Sequence, residues 1–195
     1  VAYTNPVDLS ASPSATIISQ PSSPTGCDGD DAVFSVTAAG ASSYQWQVSL
    51  DGITFGPVSN SPTISGATTD ELRIKNSTSA TNSSFFRVIV NPASAFPVTS
   101  VAVQSDFTAR PSFTSNPSDQ TFCASDNLTL DATVSDATSF QWQENDGGGW
   151  SDLSDGGDIS GATTTSLSLN NVPASFDGYK YRLIATNSGT SICAD

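Results

Sequence analysis

The sequence contains no histidine, no methionine, two glutamates and six lysines and arginines in 195 residues. Without histidine, a Ser-His-Asp triad, a His-ligated zinc and an imidazole acid–base pair are all excluded. The six cations face 19 acidic residues, so the net charge is -13 and the basic surface that binds nucleic acid is missing. No apolar run approaches the roughly 20 residues of a membrane-spanning helix. We therefore expect no nucleic-acid partner, no membrane span in this segment and no enzyme.

What the sequence does contain is typical of β-structure. It is rich in Thr, Ser, Val, Gly and Pro, and no stretch keeps a 3.6-residue apolar period. The run from Tyr44 to Val48 alternates ring, amide, ring, amide and aliphatic side chains, as a strand with one buried face requires. Clusters of Gly, Pro, Asp and Asn interrupt such runs at short intervals. The sequence predicts an all-β chain.

The chain is two copies of one module, because it matches itself at an offset of 95 to 96 residues. Cys27 faces Cys123 in this alignment, and a hexapeptide recurs letter for letter. The clearest matches are Gln45–Gln47 with Gln141–Gln143, Ile64–Thr69 with Ile159–Thr164, and Phe86–Ile89 with Tyr181–Ile184. About 95 residues of short strands, with a tryptophan in each copy, predict a two-sheet sandwich per module.

The repeat also predicts domain boundaries. Residues 11–104 form the first domain, residues 105–112 a short polar linker, and residues 113–195 the second domain. The first domain closes with an alternating run at 98–104 that has no counterpart in the second, which is therefore expected to lack its final strand. Residues 1–10 alternate in the same way, so we interpret them as the last strand of a preceding domain, in a longer array of such domains.

The repeated residues resemble immunoglobulin domains. Trp46 and Trp142 stand where such a domain has its strand-C tryptophan, and Asp177–Leu183 resembles the Asp-x-Ala-x-Tyr-x-Cys signature. The resemblance implies a buried core around both tryptophans, with Tyr181 bonding back to the backbone as a tyrosine corner and Phe86 as its counterpart. Leu183 replaces the second conserved cysteine, so the usual disulfide between the sheets is absent.

More narrowly, the chain resembles the bacterial Ig-like modules of secreted and cell-surface proteins from Bacteroidota-type bacteria. The shared motifs are Tyr-Gln-Trp-Gln, Ile-Ser-Gly-Ala-Thr, Gly-Tyr-x-Tyr-Arg, a turn ending in Trp150, and a late cysteine, Cys193. In these proteins the modules act as stalks, adhesin repeats and enzyme appendages alike. The resemblance therefore implies the fold more strongly than the function.

The three cysteines suggest an oxidising, extracellular setting. Cys123 and Cys193 occupy positions like those of the family, so the resemblance implies a disulfide between them. Cys27 matches Cys123, but the residue that matches Cys193 in the first copy is Val98. We therefore expect Cys27 to be a free thiol, or to bridge to another molecule. A catalytic thiol would need a base, which a chain without histidine does not supply.

The sequence also leaves two possible binding sites open, one for a sugar and one for calcium. Trp150 lies among glycines in a turn, where its ring either stacks on a sugar or, like Phe55 in the first copy, caps a sheet edge. Acidic residues crowd two turns, and carboxylates are calcium ligands, but neither run fits a known calcium loop. These turns contain Asp28, Asp30 and Asp31 in the first copy and Asp146, Asp152, Asp155 and Asp158 in the second. No other cofactor is expected.

The favoured function is that of a non-catalytic structural repeat in a long secreted cell-surface protein, where tandem Ig-like domains form a stalk or filament. Its partners would be neighbouring Ig-like domains or copies of the same chain. The alternative is an adhesin or accessory module that binds surface carbohydrate or a partner protein.

Overall fold

The computed structural model describes residues 14–93, 96–189 and 191–194. Within these ranges the regular structure consists of strands and two short 3-10 helices, at Ser79–Thr81 and Ala174–Phe176. The chain divides into two compact units. Unit 1 contains the residues up to Pro24 together with Gly29–Asp106, and unit 2 contains Thr25–Asp28 together with the residues from Phe107 onwards. The strand predicted at 1–10 lies outside the described residues.

The strands are short, and in Phe85–Asn91 half-buried and buried side chains alternate along the whole strand. In the first part of the chain they are Thr16–Ser19 (β1), Thr25–Cys27 (β2), Ala32–Ser35 (β3), Thr37–Ala39 (β4), Ser43–Ser49 (β5), Gly56–Pro57 (β6), Ile64–Ser65 (β7), Glu71–Ile74 (β8), Phe85–Asn91 (β9), Val98–Thr99 (β10), Val103–Gln104 (β11) and Asp106–Thr108 (β12). In the second part they are Ser112–Ser115 (β13), Asp126–Asp131 (β14), Thr133–Ser135 (β15), Ser139–Asn145 (β16), Trp150–Asp152 (β17), Ile159–Ser160 (β18), Ser166–Val172 (β19), Lys180–Ser188 (β20) and Ile192–Ala194 (β21).

Unit 1 contains two principal sheets. One has the order β3-β8-β7, and in the other β9 pairs with β5, β10 and β11, while β6 pairs with β5. The small pair β1-β4 completes the unit. Buried side chains come from both principal sheets, with Phe34 and Leu72 from one and Trp46 and Val88 from the other. The core therefore lies between the sheets, as period-2 alternation on each strand requires.

Unit 2 repeats this arrangement. Its sheets have the orders β14-β19-β18 and β17-β16-β20-β21, with the pairs β13-β15 and β2-β12 beside them. The core again draws on both sheets: Leu130 and Leu167 come from the first, and Trp142 and Leu183 from the second. All pairings of the principal strands are antiparallel. The prediction of an all-β chain is confirmed.

The structure differs from the sequence prediction at the linker and at the last strand. Residues 106–108 of the predicted linker form β12, and Phe107 and Thr108 are buried. Phe107 is the one large apolar side chain in this segment, and because its neighbours are polar, the sequence shows no pattern that would predict a strand. In the second copy, Ile192–Ala194 pair with Thr186–Ser188, so a strand is present at the position where the sequence predicts none. Three residues are too few to show an alternating pattern.

Candidate functional site

The hexapeptide that recurs in both copies is a loop that holds the buried tryptophan. In unit 2 the Trp142 indole Nε1 donates to the Thr164 carbonyl at 2.9 Å, and its backbone N–H donates to the Ala162 carbonyl at 2.8 Å. Unit 1 has the same two bonds, from Trp46 to Thr69 and Ala67, both at 2.9 Å. Both tryptophans are fully buried. The loop thus gives the indole N–H the hydrogen-bond partner that a buried tryptophan needs.

Three residues of this loop in unit 2 have a clear structural role. Gly161 has φ +84°, and a Cβ there would overlap the Ser166 carbonyl oxygen. Ala162 is buried, and its N–H donates to the Asp155 carboxylate at 2.7 Å. The Thr164 hydroxyl donates to the Ser166 carbonyl at 2.8 Å and so closes the turn. These contacts give the glycine, the alanine and the second threonine of the loop a role in the fold itself.

The glutamine before each tryptophan is also structural. Gln141 Nε2 donates to the carbonyls of Trp142 and Leu153, each at 2.8 Å. In unit 1, Gln45 Nε2 donates in the same way to Trp46 and Val58, at 2.8 and 2.9 Å. Each amide therefore ties β5 or β16 to the segment that follows the next turn. Sequence analysis did not find this role, because the alternating pattern shows the glutamine only as a polar position.

Phe55 and Trp150 occupy equivalent places beside an arginine. The Arg87 guanidinium carbon lies 3.8 Å from the centre of the Phe55 ring, and that of Arg182 lies 4.2 Å from the Trp150 ring. Each arginine also donates through Nε to a glutamine side chain on the neighbouring strand, at 2.8 Å. Trp150 retains 38% exposure on the edge strand β17. One ring face is thus used by a cation–π contact, which favours the sheet-edge interpretation over sugar stacking.

Tyr181 does not form the expected tyrosine corner. Its hydroxyl donates to the Glu144 carboxylate at 2.7 Å instead of to a backbone carbonyl, because Glu144 is its direct cross-strand partner. Burial, followed by this hydrogen bond and the glutamate charge, raises the pKa of the Tyr181 phenol. Tyr181 is half-buried, whereas Phe86 in unit 1 is buried, with its ring centre 4.7 Å from that of Phe34.

Unit 2 contains a cavity of about 390 Å³, lined in part by Leu130 and Tyr181. Leu130 matches Phe34 of unit 1 in the repeat, so unit 2 has a leucine where unit 1 has one of two packed rings. The wall is rich in aromatic side chains, namely Phe122, Trp150, Phe176, Tyr179 and Tyr181. Phe176 and Tyr179 stack on each other with ring centres 4.7 Å apart. This aromatic wall would offer a small ligand apolar contact.

The disulfide joins Cys27 to Cys193, so the predicted Cys123–Cys193 bond and the predicted free thiol at Cys27 are both wrong. The two Cα atoms are 5.8 Å apart, within the range that a disulfide spans. Cys123 is the free cysteine, and it is exposed. Its backbone N–H donates to Asp126 at 2.7 Å in the turn that precedes β14.

The reason for this pairing is that Cys27 belongs to unit 2. The strand β2, which contains Cys27, pairs with β12, and the Asp28 N–H donates to the Thr108 carbonyl at 2.9 Å. Arg110 Nε donates to the Asp28 carbonyl at 2.7 Å. The repeat alignment assumes that each copy folds within its own unit, and the four residues 25–28 break that assumption. Both cysteines are buried, Cys193 at 1% and Cys27 at 8% exposure.

The acidic turns are used by the fold itself. Asp146, Asp152 and Asp155 accept hydrogen bonds from Gly148, Gln143 and Ala162. Across the described ranges, no three acidic or cysteine side chains are grouped so that they could hold a metal ion. Another carboxylate, Asp51, accepts from the Thr54 N–H, the Ser49 hydroxyl and the Ile53 N–H, and these bonds lower its pKa.

Neither 3-10 helix in the described part of the chain is long enough to cross a membrane.

Solved structures of tandem immunoglobulin domains have the same fold as this chain. The chain is a tandem of two immunoglobulin-like β-sandwiches, as the sequence predicted. It is similar to an I-band fragment of titin, with 14% identity, a TM-score of 0.57, and coverage of 92% of this chain and 63% of the fragment. It is also similar to extracellular domains 3–5 of Drosophila OTK, with 13% identity, a TM-score of 0.56, and coverage of 93% and 60%.

The chain therefore spans about three fifths of the length of these structures, and at such identities the likeness shows the fold alone. Residues 15–107 match the family described as Domain of unknown function (DUF8696). A search of curated proteins gave no match.

Proposed function

We propose that the chain is a non-catalytic structural repeat of a secreted cell-surface protein, in which tandem Ig-like domains form a stalk or filament. The observation that carries this proposal is that the repeated residues make contacts that stabilise the two sandwiches. The tryptophans, the loops that hold them, the glutamines and the ring–arginine pairs all support the two sandwiches in the same way. A module whose recurring features all serve packing is suited to be a spacer.

The buried disulfide supports an extracellular location, since disulfides persist in oxidising compartments. The surface charge supports it as well, because a net charge of -13 keeps long arrays soluble and prevents copies from associating non-specifically. Origin from a Bacteroidota-type bacterium remains part of the proposal and rests on the sequence motifs. The proposed partners are neighbouring Ig-like domains in the same array.

The alternative is an adhesin or accessory module, for which the specific observation is the aromatic cavity of unit 2. Saccharides stack on exposed aromatic faces, and Trp150 and Tyr179 both line this cavity. Against it, Arg182 already covers one face of the Trp150 ring. We therefore favour the spacer.

The experiment compares chains that carry one, two and four copies of the 195-residue sequence in series. Small-angle scattering measures their maximum dimension, which should rise by a constant increment per copy for a spacer. A dimension that stays nearly constant as copies are added would overturn the proposal. A glycan array with the single copy tests the alternative: saturable binding that Trp150→Ala abolishes and Phe55→Ala preserves would establish the adhesin instead.

A further inference from the structure

We propose that the Cys27–Cys193 disulfide is a force bypass. Tension that enters the chain ahead of Cys27 and leaves it after Cys193 would run through this bond instead of through the residues between the two cysteines. The inference deepens the proposed stalk function and rests on it for its biological purpose. Its test does not depend on that function, because it measures the length of chain that a pull releases.

The first step of the argument is the span of the disulfide. The two cysteines are 166 residues apart in sequence, yet their Cα atoms are 5.8 Å apart. Of the strands in the described residues, β3 to β20 lie within this span and β21 begins in it, and the span contains both tryptophan cores. A covalent bond across the ends of the span is far stronger than any β-sheet interaction inside it. The strands between the cysteines would therefore bear no load while the bond is intact.

The second step concerns what remains in the load path. Ahead of Cys27, the first described strand is β1, which pairs with β4 through three residue pairs. Next come residues 20–24, where Gln20 accepts a hydrogen bond from the Val101 N–H at 3.0 Å and Pro24 accepts one from the Asp106 N–H at 2.9 Å. A pull would peel this segment away residue by residue. Such peeling breaks few bonds at a time, so it should need little force.

The third step is the protection of the bond. Cys193 is 1% and Cys27 8% exposed, so a thiolate in solution has little access to either sulfur. The free thiol of the chain, Cys123, is on the surface. Exchange with solution thiols should therefore be slow in the folded protein. The bond is then suited to carry load over long periods.

Single-molecule pulling between handles fused ahead of Val1 and after Asp195 tests the inference. The reference protein carries Cys123→Ser, which removes the exposed thiol and leaves one possible disulfide. Under non-reducing conditions its extension should stop after the 26 residues ahead of Cys27, about 9 nm at ~3.5 Å per residue. In the same background, Cys27→Ser should release the enclosed 166-residue span as well, about 55–60 nm more. The long extension in the reference protein would overturn the bypass.

A second measurement guards against a Cys27→Ser chain that does not fold. The folded reference protein is held under tension and exposed to a dithiol reductant. Reduction adds two electrons and two protons to the disulfide, giving two thiols while the dithiol closes into its own disulfide. The same additional 55–60 nm should then appear, at a rate set by access to the bond. If no additional length appears after reduction, the inference is wrong.

Mass mapping of the unmodified protein, alkylated without reduction, identifies the bond independently. The label should fall on Cys123, and a label on Cys27 would contradict the load path. An experiment that refutes the force bypass can be distinguished from one that refutes the proposed stalk function. Copies in series can extend the particle without a bypass, and a bypass can exist in a chain that is not a spacer.

Discussion

Replacing Gly161 by alanine should destabilise unit 2 well beyond the usual effect of such a change. Gly161 has φ +84°, and an L side chain there costs about 1–2 kcal/mol. The new Cβ would also overlap the Ser166 carbonyl oxygen, so the loop must move away from β19. That movement weakens the indole bond from Trp142 to Thr164 and the Thr164 bond to Ser166, each worth about 0.5–1.5 kcal/mol. The expected total loss is about 2–5 kcal/mol.

Gly178→Ala is the matched control in the same unit. Gly178 has φ +86°, almost the same backbone conformation, but a Cβ there meets no atom within 4 Å. This variant should lose only the backbone cost of about 1–2 kcal/mol. Urea unfolding followed by tryptophan fluorescence measures both free energies. If the two variants were equally stable, the argument that the loop is held by close contact with β19 would be refuted.

Three further predictions concern the core, the turn at Asp51 and the Tyr181 phenol. Trp142→Ala should cost about 3–5 kcal/mol in urea unfolding, whereas Trp150→Ala should cost less than about 1 kcal/mol, because one ring is buried and the other lies on an edge strand. The folded pKa of Asp51 is lowered, so the native protein should be more stable than the Asp51→Asn variant. This difference in stability should be full above the ordinary carboxyl pKa of 3.8 and should shrink as the pH falls below it. Equal differences in melting temperature between the two proteins at pH 7 and pH 2 would contradict this prediction. For Tyr181, burial and the hydrogen bond to Glu144 raise the folded pKa, so stability should fall as the pH rises above about 10. Tyr181→Phe should therefore remove the last tyrosinate absorbance to appear in an alkaline titration, and an unchanged titration would show that the Tyr181 pKa is not raised.

The parts of the fold that follow from local pattern could be predicted from the sequence. Alternation over Tyr44–Val48 and its copy identifies a strand with one buried face, and burial of Trp46 and Trp142 follows from that face. The recurring hexapeptide could be recognised as important, but its purpose could not, because the bond from the indole to a threonine carbonyl joins residues 22 or 23 positions apart. Such contacts depend on how strands meet, which a local pattern does not contain.

The disulfide could not be predicted for a related reason. The repeat alignment treats equivalent cysteines as equivalent in space, but Cys27 leaves its own copy and Cys123 stays on the surface of its own. Phe107 was likewise concealed, since one buried ring in a polar stretch does not form a pattern. The cavity in unit 2 is lined by residues that are far apart in sequence, such as Phe122, Trp150 and Tyr181, and a local pattern does not show that they are neighbours.

The placement of residues 25–28 in unit 2 has a consequence for how a protein built from these modules could change its length. The sequence repeats after about 95 residues, but the folding unit does not coincide with that period, because a strand coded in the first copy is needed by the second. A gene deletion that removed the first copy would leave Cys193 without Cys27 and the Thr108 carbonyl without the Asp28 amide, and removal of the second copy would leave Cys27 without Cys193. A gain or loss of two copies together preserves both. In such a gene the 95-residue copies should therefore be gained or lost two at a time.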